Sequence, residues 1–333
     1  MYPRRRRHPH ALLGTVVALA LAGAAFAGAP RLLAWTHPTR SIDRVPGTAR
    51  VYLPTVGWPQ QGQAALVIGN GRPAASPNEA AVPIASLAKV MTAYLTLERY
   101  PLSGNQDGFT VTITAAEAQE EVEDAAEGQS GAAVAAGERL TERELLEALL
   151  VPSGNNIAQI LADQIAGSEA GFVDEMNNEA RALGMDHTFY TDPSGFDPTT
   201  VSTAADQLRI FRRAMRFAVF RQIVSMASVT LPAAGTLTNF NPLVADGYGG
   251  KTGSDSAAGG CLAFFTNVTI DARRRTVVGV VLGQGQGNDT SMLLAAAAEA
   301  ARQLVASAVP ATRASTQPAG GASGDREPGA SSP

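Results

Sequence analysis

Apolar and polar positions follow two rhythms along this chain. The runs "AALVIGN", "CLAFFTNVTI" and "RTVVGVVLG" are short, apolar and bounded by turn residues, which predicts β-strands. The turn residues of "GNGRP" close the first run, and the charged "DARRR" joins the other two. Between these ends the apolar residues recur at helical spacing in "SLAKVMTAYLTLERY", "TERELLEALLV", "NNIAQILADQIAG" and "STAADQLRIFRRAMRFAVF". Ser86 is the expected N-cap of the first of these helices. A last Ala-rich helix is expected from about Ser291 to Ala308. Strands at both ends and helices in the middle predict one sheet, built from N- and C-terminal strands, with helices packed around it. No internal repeat is visible.

Outside this unit the pattern changes. "MYPRRRRHPH" is basic, and the stretch from Ala11 to Ala27 that follows is uncharged and ends in Ala25-Phe26-Ala27, a small-x-small cleavage pattern. Its length also approaches the ~20 residues of a membrane span. Residues 1–29 are therefore expected to be a signal peptide or an N-terminal membrane anchor, which places the rest outside the cytoplasm, secreted or held at the outer face of the membrane. Residues 30–60 carry Pro and Gly without periodicity and are expected to be a linker. Residues 61–308 form the expected globular domain. Residues 309–333 are a Pro/Gly/Ser/Ala-rich tail expected to be disordered.

Composition narrows the chemistry. Of 333 residues, 45% are hydrophobic and 17% charged, enough apolar material for a sizeable core. The formal charge is −4, the first acidic residue is Asp43, and five arginines lie in residues 1–31. The remainder is acidic, and no nucleic-acid partner is expected. The single cysteine, Cys261, excludes an intrachain disulfide and a thiolate metal site, and reads as a small buried strand residue. No metal or cofactor is expected. His187 is the only histidine between 61 and 308, and no G-x-S-x-G elbow occurs, which argues against a Ser-His-Asp triad.

The charges hold a sharper signal. The chain has 24 arginines and two lysines, Lys89 and Lys251. Ser86 and Lys89 lie three apart on a helix and share a face. A lysine acts as a base only when its amine is neutral, which burial or a nearby cation favours; an arginine cannot act so. Lys251 and Thr252 sit among Gly249, Gly250 and Gly253 just before an apolar strand, offering an ammonium and a hydroxyl to a carboxylate. Ser153 and Asn155 follow Pro152 in an expected turn. Each pattern alone is weak, the bland readings being an N-cap, a glycine turn and a solvated lysine. In the order S-x-x-K, S-x-N, K-T-G they are the motif set of penicillin-binding proteins and serine β-lactamases.

The chain resembles the low-molecular-mass D-alanyl-D-alanine carboxypeptidases from about Ala64 to Gly283, through "IASLAKVMTAY", "ERLTERELLEALLVPSGNNIAQILADQIAG", "ALGMDHTFYTDPSGFD", "STAADQLRI" and "KTGSDSAAGGCL". The resemblance implies an α+β, β-lactamase/transpeptidase-like fold: an antiparallel sheet flanked by helices plus an all-helical lobe. It implies Ser86 as nucleophile, Lys89 as its base and Ser153 as proton relay. Asn155 then holds the peptide backbone, while Lys251 and Thr252 hold the terminal carboxylate. Gly253 is a further substrate-binding residue of that segment, and the backbone N–H groups of Ser86 and Ser254 form the oxyanion hole. Peptidoglycan stem peptides ending in D-Ala-D-Ala and β-lactam antibiotics are the implied partners. Two features depart from the pattern. Asp255 is expected to place a negative charge near an anionic substrate, and no arginine follows the last strand before Arg302. Because no E-x-x-L-N-like stretch lies between Asn155 and Lys251, a serine β-lactamase ranks second; a non-catalytic cell-wall-binding protein on the same fold is the other alternative.

Overall fold

A computed structural model of the chain describes residues 56–309. The expected signal or anchor segment, most of the expected linker and nearly all of the expected tail fall outside the described residues. The sheet has five strands: β1 (Gln63–Ile68), β2 (Ala74–Ala75), β3 (Gly249–Asp255), β4 (Gly259–Ile270) and β5 (Arg273–Gln284), in spatial order β2-β1-β5-β4-β3 and antiparallel throughout. The N-terminal strand thus pairs with the last C-terminal strand, as the order of patterns predicts.

Alternation along each strand divides the core. Ala65, Val67, Cys261, Ala263, Val280 and Leu282 face one side of the sheet, and Ala64, Leu66, Leu262, Phe264, Val277 and Val281 face the other. The second face is covered by α8 (Thr290–Ala308), through Ala297, Ala301, Leu304 and Val305. Val56 and Trp58 pack on the same cluster, so the chain is already docked there. Gly279 faces Phe264 across the β4–β5 pair, and a Cβ at Gly279 would meet the Phe264 ring at 2.5 Å; the glycine makes room for the aromatic. Cys261 is the buried strand residue expected, its thiol pushed up to about 12 by burial.

The first face carries the helices. They are α1 (Lys89–Arg99), α2 (Ala115–Ala126), α3 (Glu142–Leu150), α4 (Asn155–Ala166), α5 (Glu169–Ala182), α6 (Ala204–Ala214) and α7 (Ala218–Ile223). α6 lies against β1 and β5 and carries α1 on its outer side; α1 in turn touches α3, α4 and α5, the helical lobe. Side-chain caps start four of the helices. Thr114 and Thr141 form capping boxes with Glu117 and Glu144, Ser168 caps α5, and Thr203 caps α6.

The structure corrects four local expectations. Ser86 is no N-cap: it sits inside a 3₁₀ turn, Ala85–Ala88, that runs into α1, and makes no cap bond. The run "STAADQLRIFRRAMRFAVF" makes two helices, because the Arg221 guanidinium takes up the carbonyls of Met215 and Arg216 where α6 ends. The turn in "DARRR" is only Asp271-Ala272, both at positive φ, the twist of a two-residue hairpin; Arg273–Arg275 already belong to β5. The K-T-G segment is itself a strand, β3, rather than the turn before one.

Candidate active site

Three elements converge at the junction of sheet and lobe. The 3₁₀ turn before α1 brings Ser86 and Lys89. The turn between α3 and α4 brings Ser153 and Asn155. The edge strand β3 brings Lys251, Thr252, Gly253 and Ser254. Among the described residues the outer edge of β3 has no strand partner, and its helix-bearing face lies against the 3₁₀ turn. Gly253 permits that approach, since a Cβ there would stand 2.9 Å from Ile84 O and 3.0 Å from Ser86 N. Backbone strain marks the same places: Ala85 has φ +46° and Ser153 φ +65°, uncommon conformations for residues with a Cβ.

Lys89 is fully buried. Its Nζ donates to Asn155 Oδ1 at 2.7 Å and to the Ser194 carbonyl at 2.9 Å, and stands 2.7 Å from Ser86 Oγ. Burial lowers its pKa to about 7, against the opposing pull of Asp192. A neutral amine has two N–H groups and one lone pair. Asn155 Oδ1 and Ser194 O are both acceptors and claim the two N–H groups. The lone pair is left facing the Ser86 hydroxyl, which is the arrangement a general base requires.

Lys251 is also buried, and its Nζ donates to Ser153 Oγ at 2.8 Å and to the Thr252 carbonyl at 2.8 Å. Burial first, and then the Lys89 charge, holds its pKa well below the ordinary lysine value. Thr252 is buried beside it and Ser254 is half-buried on the same strand. Asp255 departs from expectation. Its Oδ1 accepts from Ala257 N at 2.7 Å and Ala258 N at 2.6 Å, so the carboxylate closes the β3–β4 turn instead of facing an incoming anion.

Asn155 is a second departure. Besides taking the Lys89 proton donor, it donates from Nδ2 to Gln129 Oε1 at 2.8 Å, so both ends of its amide are engaged inside the protein. Sequence reasoning also assigned no role to the floor of the site. Asp192 Oδ2 accepts from Ser194 N, Ser194 Oγ and Phe196 N, and its Oδ1 from Thr200 Oγ1. Thr92 Oγ1 on α1 donates to Pro193 O. Gly195, at φ +79°, lets this loop pass so close that a Cβ would meet Ala85 O at 1.9 Å. The stretch "TDPSGFD" therefore holds the Ser194 carbonyl under Lys89; the closely spaced Asp, Pro and Gly were the available signal. Beside Asn155 and Ser194 opens a cleft of about 320 Å³, walled by Glu117, Glu120, Asp163 and Glu169 among others.

A buried lysine pair flanking two serines, on an antiparallel sheet with a helical lobe, defines a serine acyl-transfer site of the penicillin-binding type. The comparisons agree. Residues 74–286 match the model of the D-alanyl-D-alanine carboxypeptidase family, and the chain belongs to that family. It is 33% identical over 210 residues to a D-alanyl-D-alanine carboxypeptidase of Mycobacterium tuberculosis, covering 60% of this chain and 67% of that one. It is 29% identical over 197 residues to a D-alanyl-D-alanine endopeptidase of Pseudomonas aeruginosa, covering 56% of this chain and 60% of that one. The crystal structure of the Streptomyces K15 DD-transpeptidase superposes with a TM-score of 0.63 at 26% identity, covering 76% of this chain and 99% of that one. The enzyme class is that of a serine peptidase, as the motif order implied.

Proposed function

We propose that the chain removes the terminal D-alanine of peptidoglycan stem peptides through an acyl-enzyme on Ser86. The observation that carries the reading is the lone pair of Lys89, directed at Ser86 by two fixed acceptors. The peptide lies along the open edge of β3, its terminal carboxylate at Lys251 and Thr252, in the manner of an added strand. Ser86 Oγ attacks the carbonyl between the two D-alanines and its proton passes to Lys89 Nζ. The developing oxyanion sits between the N–H groups of Ser86 and Ser254. As the C–N bond breaks, the leaving nitrogen takes the hydroxyl proton of Ser153, which Lys251 holds at 2.8 Å, and the proton that Lys89 took from Ser86 passes to Ser153, leaving Lys89 neutral. Water then attacks the ester, with Lys89 again as base, and frees Ser86. Relatives named endopeptidase and transpeptidase fit the same scheme, differing in which peptide bond is opened or what accepts the acyl group. Export and attachment through the N-terminal segment complete the proposal; among the described residues no helix is long and apolar enough to cross a membrane.

Penicillin tests the assignment. The opened ring stays tethered where D-alanine would leave, so water has no free path to the ester. Asp192, the carboxylate acting on Lys89, already accepts four hydrogen bonds and is not available to activate a water. Intact mass after drug removal is expected to show one lasting adduct on Ser86, absent in Ser86→Ala and in folded Lys89→Arg. Loss of the adduct within seconds, with hydrolysed drug accumulating, would make the protein a β-lactamase. No adduct on the wild type would leave only a binding role.

A further inference from the structure

Gln129 belongs to none of the three motifs, yet it stands one hydrogen bond from the amide that holds Lys89. The bonds run in one direction. Gln129 Nε2 donates to Asp124 Oδ1 at 2.9 Å, Asn155 Nδ2 donates to Gln129 Oε1 at 2.8 Å, and Lys89 Nζ donates to Asn155 Oδ1 at 2.7 Å. A carboxamide has a donor end and an acceptor end of nearly the same shape. Packing cannot tell them apart; only the polarity of a partner can. Were Asn155 reversed, its N–H would point at Lys89 and claim the lone pair that has to reach Ser86. Asp124, when ionised, is an acceptor only. It takes the NH₂ of Gln129, which turns Gln129 Oε1 toward Asn155, which turns Asn155 Oδ1 toward Lys89.

We propose that Asp124 and Gln129 are positioning residues for acyl transfer, which set the polarity of the Asn155 amide and so aim the Lys89 lone pair at Ser86. The inference rests on Lys89 being the base of Ser86. The site needs such a device because the relay is not sealed: Asp124, Gln129 and Asn155 all line the 320 Å³ cleft, where water offers either polarity to an unguided amide. The backbone around the relay is fastened independently. Gln129 N donates to Asp124 O at 3.0 Å, and Asn155 N donates to Ser130 O at 2.8 Å, so a side-chain change leaves the loop in place.

The test is the rate of Ser86 acylation by a fluorescent penicillin, measured against pH on the full chain. The charged groups acting on Lys89 are Asp192 and Lys251, and neither is altered. Gln129→Met keeps the length and removes both polar ends. Outer partners that orient a reactive ligand typically matter by roughly 10–100-fold, and a loss of that order is expected here. The midpoint of the acid limb is expected to fall below that of the wild type, because a reversed Asn155 stabilises the neutral amine in its unproductive pose. Asp124→Ala is expected to slow acylation less. The double variant Asp124→Asn with Gln129→Glu reverses the bond between those two positions but leaves a carboxylate, an acceptor only, facing Asn155 Nδ2, and is expected to restore most of the rate. An unchanged rate and limb in Gln129→Met would overturn the relay and leave Lys89 as base. Faster acylation in Gln129→Met would overturn it too, and make Gln129 an obstruction in the substrate's place. Failure of the double variant to recover, beside a slow Asp124→Ala, would reduce the pair to structural support. No labelling of wild-type Ser86 would remove the base and the relay together. Should Gln129→Met not fold, Asp124→Ala and the double variant decide the matter alone.

Discussion

Lys89 and Lys251 share a predicament: two amines buried side by side, with no carboxylate bonded to either. In the fold Lys89 has a pKa near 7, against an ordinary 10.5, so between those values the unfolded chain binds more protons than the folded one. Its burial therefore costs stability below pH 7, and the cost is relieved as pH rises from about 7 toward about 10.5. Two measurements follow. Acylation of wild type is expected to rise through an acid limb near pH 7. Thermal melts are expected to show wild type gaining on Lys89→Met as pH is raised from 7 to 10; a constant difference would mean that Lys89 is not neutral in the fold. Ser153 carries another cost, since its φ of +65° suits glycine better. Ser153→Gly is expected to raise stability by about 1 kcal/mol while lowering acylation, a trade readable from one melt and one labelling time course. At this scale the sequence was most legible. The structure brings both lysines within hydrogen-bond distance of the motif serines, Lys89 of Ser86 and Lys251 of Ser153. Asn155 was less so, because its partner Gln129 lies 26 positions away and no local pattern announces it.

Elements were legible where they bury a stripe and obscure where they do not. α2 was missed because its sequence, "AAEAQEEVEDAA", has no apolar face: Glu121 is its only buried residue and Val122 points to solvent. The T-x-x-E at Thr114 and Glu117 was its one local signature. β3 was placed just before a strand, not in one, because glycines fill it. Those glycines answer to its neighbours, not to strand propensity: a Cβ on Gly250 would meet Ala263 O at 2.4 Å, and one on Gly253 would press on Ile84 O. Gly253→Ala is therefore expected to fold, with β3 pushed off the 3₁₀ turn and penicillin labelling lost; near-normal labelling would show that the oxyanion pocket tolerates the shift. Asp255, which its charge alone marks as an obstacle to substrate, behaves as a turn residue. Asp255→Ala is expected to cost about 1 kcal/mol, in the range of a lost cap, and to leave KM for a D-Ala-D-Ala peptide nearly unchanged. A large fall in KM would return the carboxylate to the substrate's path.

The site belongs to the whole molecule, since no element holds more than one part of it. Ser86 comes from the 3₁₀ turn and Lys89 from the start of α1, Ser153 and Asn155 from the lobe, Lys251 from the sheet, and the Ser194 carbonyl from a loop that α1 fastens through Thr92. The order of motifs along the chain predicted this convergence; the floor made by Asp192 and Ser194 needed the fold to be seen.

The arginine-for-lysine economy of the chain has a practical consequence as well. A lysine-specific endoprotease finds only two cleavage sites in the sequence, and in the native protein both are enclosed. Digestion is expected to wait for unfolding and then to release residues 90–251 as a single fragment. The appearance of that band over time, with no dye, label or substrate, would read out how often the enzyme opens, and a bound β-lactam is expected to delay it.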